Sequence, residues 1–211
     1  MRIAINTRFL LQGQLEGIGV FTKEVVSRMV ISHPEIDFFF FFDRPYDQSF
    51  VFADNVTPVV VQPPARHPLL WYLWFEWAVP FYLKKYKIDH FFSPDSYLSL
   101  RTKIPQTVVI HDLAFEHFPE AVGGLVGKFY SFYLPRYAQK AKQIITVSEF
   151  TKADIVQEYK VPSSKIQVAY NAADLKFKPS TNEQNLFVKK TYTVDESYFL
   201  YVGALHPRKN I

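Results

Sequence analysis

Short apolar runs of strand length recur along this chain with helical patterns between them, and that alternation constrains the fold more than any other feature. Arg2–Asn6 is a short β-branched run, Asp37–Phe42 is aromatic almost throughout, and 57–62 carries Val59, Val60 and Val61. His90–Ser93 and the stretches 107–110, 144–147 and 166–169 continue the series. Between them Ile18, Phe21, Val25 and Met29 fall on one helical face, and His33-Pro34 closes that helix. Residues 69–86 read as a helix kinked at Pro80, and 125–142 as one broken at Pro135. Ser148 is placed to cap a helix with Phe150, Val156 and Tyr159 on its apolar face, and Glu149 suits the positive end of its dipole. Strands and helices in this order imply right-handed crossovers, and so an α/β fold with a doubly wound, mostly parallel sheet.

The 211 residues exceed one average domain and fall short of two. Residues 1–175 are expected to form the sheet domain. The polar, aperiodic segment 176–197 reads as a linker, and 198–211 as the start of a second domain opening with a strand at 198–202. With 48% hydrophobic and 21% charged residues the chain is globular rather than disordered. The 21 Phe, 13 Tyr and 3 Trp give a large core payload and leave some rings for the surface. The absence of Cys excludes disulfides, thiolate metal sites and a cysteine nucleophile. Met1 to Asn6 read as a strand rather than a leader. The longest apolar run, 69–83, is too short to span a bilayer and is interrupted by Glu76 and Pro80. A cytoplasmic location is therefore expected. The net charge of +4 is spread along the chain, which argues against a nucleic-acid partner.

Four segments are candidates for chemistry. Gly17-Ile18-Gly19 stands just before a helix, where free N–H groups attract anions. It is either a loop facing a phosphate or substrate, or a plain turn and helix start; a dinucleotide fingerprint would need glycine where Thr22 stands. His111-Asp112 directly follows a strand, the position at which open α/β sheets bind ligands. A histidine there can donate or accept hydrogen bonds near neutral pH, or simply be a satisfied structural residue. His111 and His117 with Asp112 and Glu116 lack the four-residue helical spacing of a zinc-protease site. In His206-Pro-Arg208-Lys209 two adjacent cations after a strand suit a diphosphate, or are surface charges on a turn. The run 69–77, with three Trp and with Lys84, Lys85 and Lys87 after it, is either core or a surface resting on lipid headgroups.

Taken in order, Thr7-Arg-Phe-Leu with Gly17-Ile-Gly-Val-Phe-Thr22, Phe92-Ser-Pro-Asp95, Val109-Ile-His-Asp112, Ile145-Thr-Val-Ser-Glu-Phe-Thr151, Lys165-Ile-Gln-Val-Ala-Tyr-Asn171 and the segment ending His206-Pro-Arg-Lys-Asn210 resemble glycosyltransferase family 4, the retaining group 1 glycosyltransferases. The resemblance implies the first of two Rossmann-like domains of a GT-B architecture. It implies transfer of a hexose, mannose among the candidates, from a nucleotide sugar to a saccharide or lipid-linked acceptor with retention and without a metal or other cofactor. By the same resemblance His111 would sit at the reacting sugar, and Arg208 and Lys209 would stabilise the departing diphosphate. Gly17 and Gly19 would close over the donor phosphates or the acceptor, with Ile18, Asp112, Ser148, Glu149 and Asn171 lining the cleft. The family often has Asn-Gly where this chain has Asn171-Ala172, and its pair of glutamates eight apart lies beyond Ile211. The 211 residues are accordingly expected to be inactive alone, to self-associate, and to touch the inner face of a membrane peripherally. The alternative is a non-catalytic module that binds a glycan or a partner protein.

Overall fold

In the computed structural model, which describes residues 1–174, 176–193 and 196–203, the chain divides into two compact units, Met1–Tyr170 and Asn171–Ile211. The first is a seven-stranded sheet with every neighbouring pair parallel: β1 (Arg2–Asn6), β2 (Asp37–Phe42), β3 (Val56–Val60), β4 (His90–Ser93), β5 (Gln106–Ile110), β6 (Gln143–Thr146) and β7 (Ile166–Val168). Their spatial order is β3-β2-β1-β4-β5-β6-β7. The chain winds outward from β1 in one direction and from β4 in the other, as a doubly wound sheet requires.

A parallel sheet with helices on both faces leaves no strand face for solvent, so its strands need not alternate with polar residues. Five consecutive phenylalanines in β2 meet this demand. Phe38, Phe40 and Phe42 join the core on one face, and Phe39 and Phe41 the core on the other.

The first face is covered by α1 (Gly17–Ser32). Its fully buried positions are Gly19, Thr22, Val26 and Val30, one residue on from the expected stripe, whose Phe21, Val25 and Met29 pack at the border. The offset has a steric cause. A Cβ at residue 19 would lie 2.7 Å from the Phe9 carbonyl oxygen, so only glycine lets the helix sit this close and turn its small face inward.

The second face is covered by α2 (Pro68–Leu73), a π-helical turn at Trp74–Ala78 and α3 (Val79–Lys85). The disturbance expected at Pro80 thus lies just upstream of it. Proline lacks an N–H and crowds the carbonyl four residues back, and the chain answers by widening the preceding turn. Val79 N–H there donates to Trp74 O. Trp74 is fully buried and its indole donates to Val61 O at 2.9 Å.

Glu76 is buried as well, and its carboxylate accepts from the backbone N–H groups of Leu100 (2.9 Å) and Arg101 (3.2 Å). Burial raises its pKa, and these bonds work against the rise. A short α4 (Ala114–His117) turns out of the loop after β5.

The helix expected to break at Pro135 does not. α5 (Gly124–Lys140) runs through it, with Ser131, whose carbonyl loses its partner, at the exposed surface. Ser148 caps α6 (Glu149–Tyr159) as its position suggests, its hydroxyl accepting from Thr151 N–H at 3.1 Å. The buried face of α6 is Thr151, Ile155 and Tyr159, while Phe150 is 78% exposed rather than part of that face.

In the second unit, the segment read as linker contains α7 (Asn182–Tyr192), opened by a reciprocal capping box between Thr181 and Gln184. Residues 198–202 form no strand, since a strand exists only with a ladder partner and none pairs with them among the described residues. Among the described residues no helix is long and apolar enough to cross a membrane.

Candidate active site

The strand order reverses between β1 and β4, and parallel sheets open a crevice at such a switch beyond the carboxyl ends of the strands. Here the two strand ends are tied by a buried polar network. Asn6 Nδ2 donates to Ser93 Oγ at 3.0 Å and to Asp95 Oδ1 at 2.9 Å. Ser93 Oγ also donates to Asp95 Oδ1, at 2.8 Å. Arg8 Nε donates to Asp95 Oδ2 at 2.8 Å, and both side chains are at most 5% exposed. Burial alone would lower the Arg8 pKa, but Asp95 more than offsets it and holds the pKa above its ordinary value. The guanidinium also lies 4.1 Å over the Tyr97 ring.

This network braces the Ser93-Pro94-Asp95 turn, and the turn holds His111. The Pro94 carbonyl lies 2.9 Å from His111 Nε2. A carbonyl only accepts, so Nε2 carries the proton and Nδ1 is the acceptor of the neutral ring. The imidazole packs against Phe21 of α1 with the two rings perpendicular and their centroids 4.8 Å apart. Thr151 Oγ1 donates to the His111 carbonyl at 3.3 Å, and Ser148 Oγ lies 2.9 Å from the same hydroxyl. His111, Ser148 and the early turns of α1 are therefore brought together.

Gly17 is exposed, with open space around the position its Cβ would take, whereas Gly19 is committed to packing beneath Phe9. No side-chain hydrogen bond caps the first turn of α1, whose N-cap residue is Glu16. Ile18 is half-buried, and its carbonyl accepts from Thr22 Oγ1 at 2.7 Å. Asp112 is exposed and accepts from Ala114 N–H at 3.0 Å, shaping the turn into α4. Glu149 is exposed in the first turn of α6. Asn171 is exposed in the second unit. Arg208 and Lys209 lie outside the described residues.

His117 stands apart from His111 and pairs with Asp154 at 2.8 Å. Among the described residues no three His, Cys, Asp or Glu side chains converge as a metal site would require.

A polar concavity of about 330 Å³ adjoins the carboxyl ends of β1 and β2, lined among others by Gln12, Gln14, Arg44 and Tyr46. Sequence reasoning gave Asn6, Arg8 and Asp95 no role in a site, although Arg8 and Asp95 stand within the motifs that carry the resemblance. Their signal was present, because each lies at or just past the polar end of an apolar strand.

A doubly wound parallel sheet, its polar residues gathered at the strand tips around the switch point, is a Rossmann-like domain. The solved structures agree on the fold. Anabaena Alr3699/HepE in complex with UDP and glucose matches 91% of this chain and 50% of its own, at TM-score 0.52 and 12% identity. A glycosyltransferase from Rickettsia africae ESF-5 matches 92% of this chain and 49% of its own, at TM-score 0.51 and 13% identity. The profile of Glycosyltransferase Family 4 matches residues 15–177, and the chain belongs to that family.

Among curated relatives, the O-antigen chain mannosyltransferase RfbU of Salmonella typhimurium is 30% identical over 76% of this chain and 42% of its own length. The O-antigen chain mannosyltransferase B of Escherichia coli is 28% identical over 61% of this chain and 34% of its own. The chain thus spans less than half the length of these relatives.

Proposed function

We propose that this chain supplies the acceptor-side domain of a retaining hexosyltransferase that moves mannose from a nucleotide sugar to a saccharide or lipid-linked saccharide acceptor. The single observation that carries the reading is His111, held by the Pro94 carbonyl at the switch-point crevice against the first turns of α1. Family membership and the names of the two mannosyltransferase relatives support the chemistry and the sugar. The UDP and glucose in complex with the Anabaena protein support a nucleotide-sugar donor.

In this reading Nδ1 of His111 faces the reacting sugar as a hydrogen-bond acceptor, Gly17 lets the α1 backbone approach donor phosphate or acceptor, and the polar concavity at Gln12 and Tyr46 receives the acceptor. Ile18, Asp112, Ser148 and Glu149 complete the lining. Arg208 and Lys209 would offset the charge that builds on the leaving diphosphate, a task preorganised cations perform without a metal ion. The domain assignment 1–175, 176–197 and 198–211 belongs to the same proposal, as does a cytoplasmic enzyme working at the inner membrane face.

The test is hexose transfer from nucleotide-activated mannose by the protein carrying this domain together with a donor-binding domain. His111→Ala is expected to lower kcat by about a hundredfold with the fold intact. Wild-type turnover in that variant would refute the role. A chelator should leave the rate unchanged, and its loss on chelation, restored by added divalent cation, would refute the metal-free transfer.

A further inference from the structure

We propose that the rod formed by α2, the π turn and α3, with residues 101–105 beside it, is a docking surface for an anionic phospholipid membrane. Leu69, Leu73, Trp77 and Phe81 recur every four residues along the rod and are 62, 36, 52 and 62% exposed. In a straight α-helix such a repeat drifts about 40° per step, so the first and last side chains would diverge by about 120°. The π turn accommodates one extra residue and takes back about 100° of that drift. The four side chains therefore share one side of the rod, while Trp74, Phe75, Val79 and Leu83 fill the core on the other.

Cations gather beside this stripe. A concavity of about 600 Å³ between α3 and residues 101–105 is lined by Lys84, Lys87, Arg101 and Lys103. The Arg101 guanidinium lies 3.6 Å over the Trp77 ring and joins the concavity to the stripe. From residue 66 to residue 88 the lone acid is Glu76, which is 2% exposed and turned toward the Leu100 and Arg101 N–H groups. The face is thus apolar rings and aliphatics bordered by a cluster of positive charge. That pairing suits an anionic headgroup layer over an acyl boundary. A second copy seated on the same face would bring the cation cluster against its own like.

The concavity lies where β4 and β5 begin, since Lys87 leads into His90 and Pro105 into Gln106, whereas His111 follows the far end of β5. Lipid docking and sugar transfer therefore use opposite ends of the sheet. The inference does not depend on the transfer reading, and vesicle binding needs neither donor nor acceptor.

Co-sedimentation of the 211-residue chain with phosphatidylglycerol–phosphatidylcholine vesicles tests it, with circular dichroism to confirm that each variant folds. Binding is expected to weaken about thirtyfold in Lys84→Gln/Lys87→Gln. It should also fall with added salt. Trp77→Phe should abolish most of the blue shift of tryptophan emission that accompanies binding, because Trp74 is already in the core and Trp71 packs against it with its indole bonded to Ala65 O. No binding by the folded wild-type chain, equal binding to phosphatidylcholine alone, or unchanged partitioning of the double lysine variant would each overturn the proposal. Self-association that Trp77→Ala removes, in the absence of vesicle binding, would assign the stripe to a second copy and overturn it too.

Discussion

Asp95 accepts from Asn6, Ser93 and Tyr97 at one oxygen and from Arg8 at the other, with almost no water to replace any of them. Removing it leaves a buried guanidinium unpaired, so Asp95→Ala is expected to cost about 3–5 kcal/mol in urea unfolding. Replacing both partners, as in Arg8→Met/Asp95→Leu, should cost less than the sum of the single changes, because no lone charge remains. The two glycines in the first turn of α1 part company in the same kind of experiment. Gly19→Ala drives a Cβ into the Phe9 carbonyl and should destabilise by about 1–3 kcal/mol, whereas Gly17→Ala, with open space around it, should leave the melting temperature unchanged and weaken donor affinity in the transfer assay. At this scale legibility followed range. The Ser148 cap is written within four residues and could be read directly, and His111 was placed by the strand before it. The Arg8–Asp95 pair joins residues 87 apart, and nothing local announces which strand ends will meet.

Between elements, the clearest titratable tie is His117 of α4 against Asp154 of α6. The hydrogen bond to Asp154, and then its charge, raise the histidine pKa above its usual value. A raised pKa in the folded state gives stability that is complete below the unfolded value and lost as pH rises through the folded one. The melting-temperature gap between wild type and Asp154→Asn should therefore narrow as pH rises above the ordinary histidine value and through the raised folded-state one. A gap that widens over that range would contradict the pairing. The helices also show what periodicity conceals. Both prolines were visible, but whether Pro80 would kink or widen the rod, and whether Pro135 would end α5, depended on packing and solvent access at the carbonyls they deprive. The Thr181-x-x-Gln184 signature that opens α7 was present, yet no apolar face followed it and its polarity read as linker.

Across the whole sheet domain, alternation of strand and helix was enough to foretell a parallel doubly wound sheet, because few other arrangements bury such strands. It did not give the strand order, since the switch between β1 and β4 is decided by crossovers that leave no local trace. The two cores meet through β2, so Phe40→Ala and Phe41→Ala should each cost about 3–5 kcal/mol and lower one shared unfolding transition rather than split it. The same strand carries a consequence for biosynthesis. The α1 cover for Phe38, Phe40 and Phe42 has already left the ribosome when they emerge, but partners of Phe41 such as Tyr82 follow some forty residues later. At 5–20 residues per second, a proline-free aromatic ribbon stays half-clothed for roughly two to eight seconds. A nascent chain of this kind belongs in the hands of a chaperone during that interval, and slowing its translation should cost soluble yield well before it alters the finished protein.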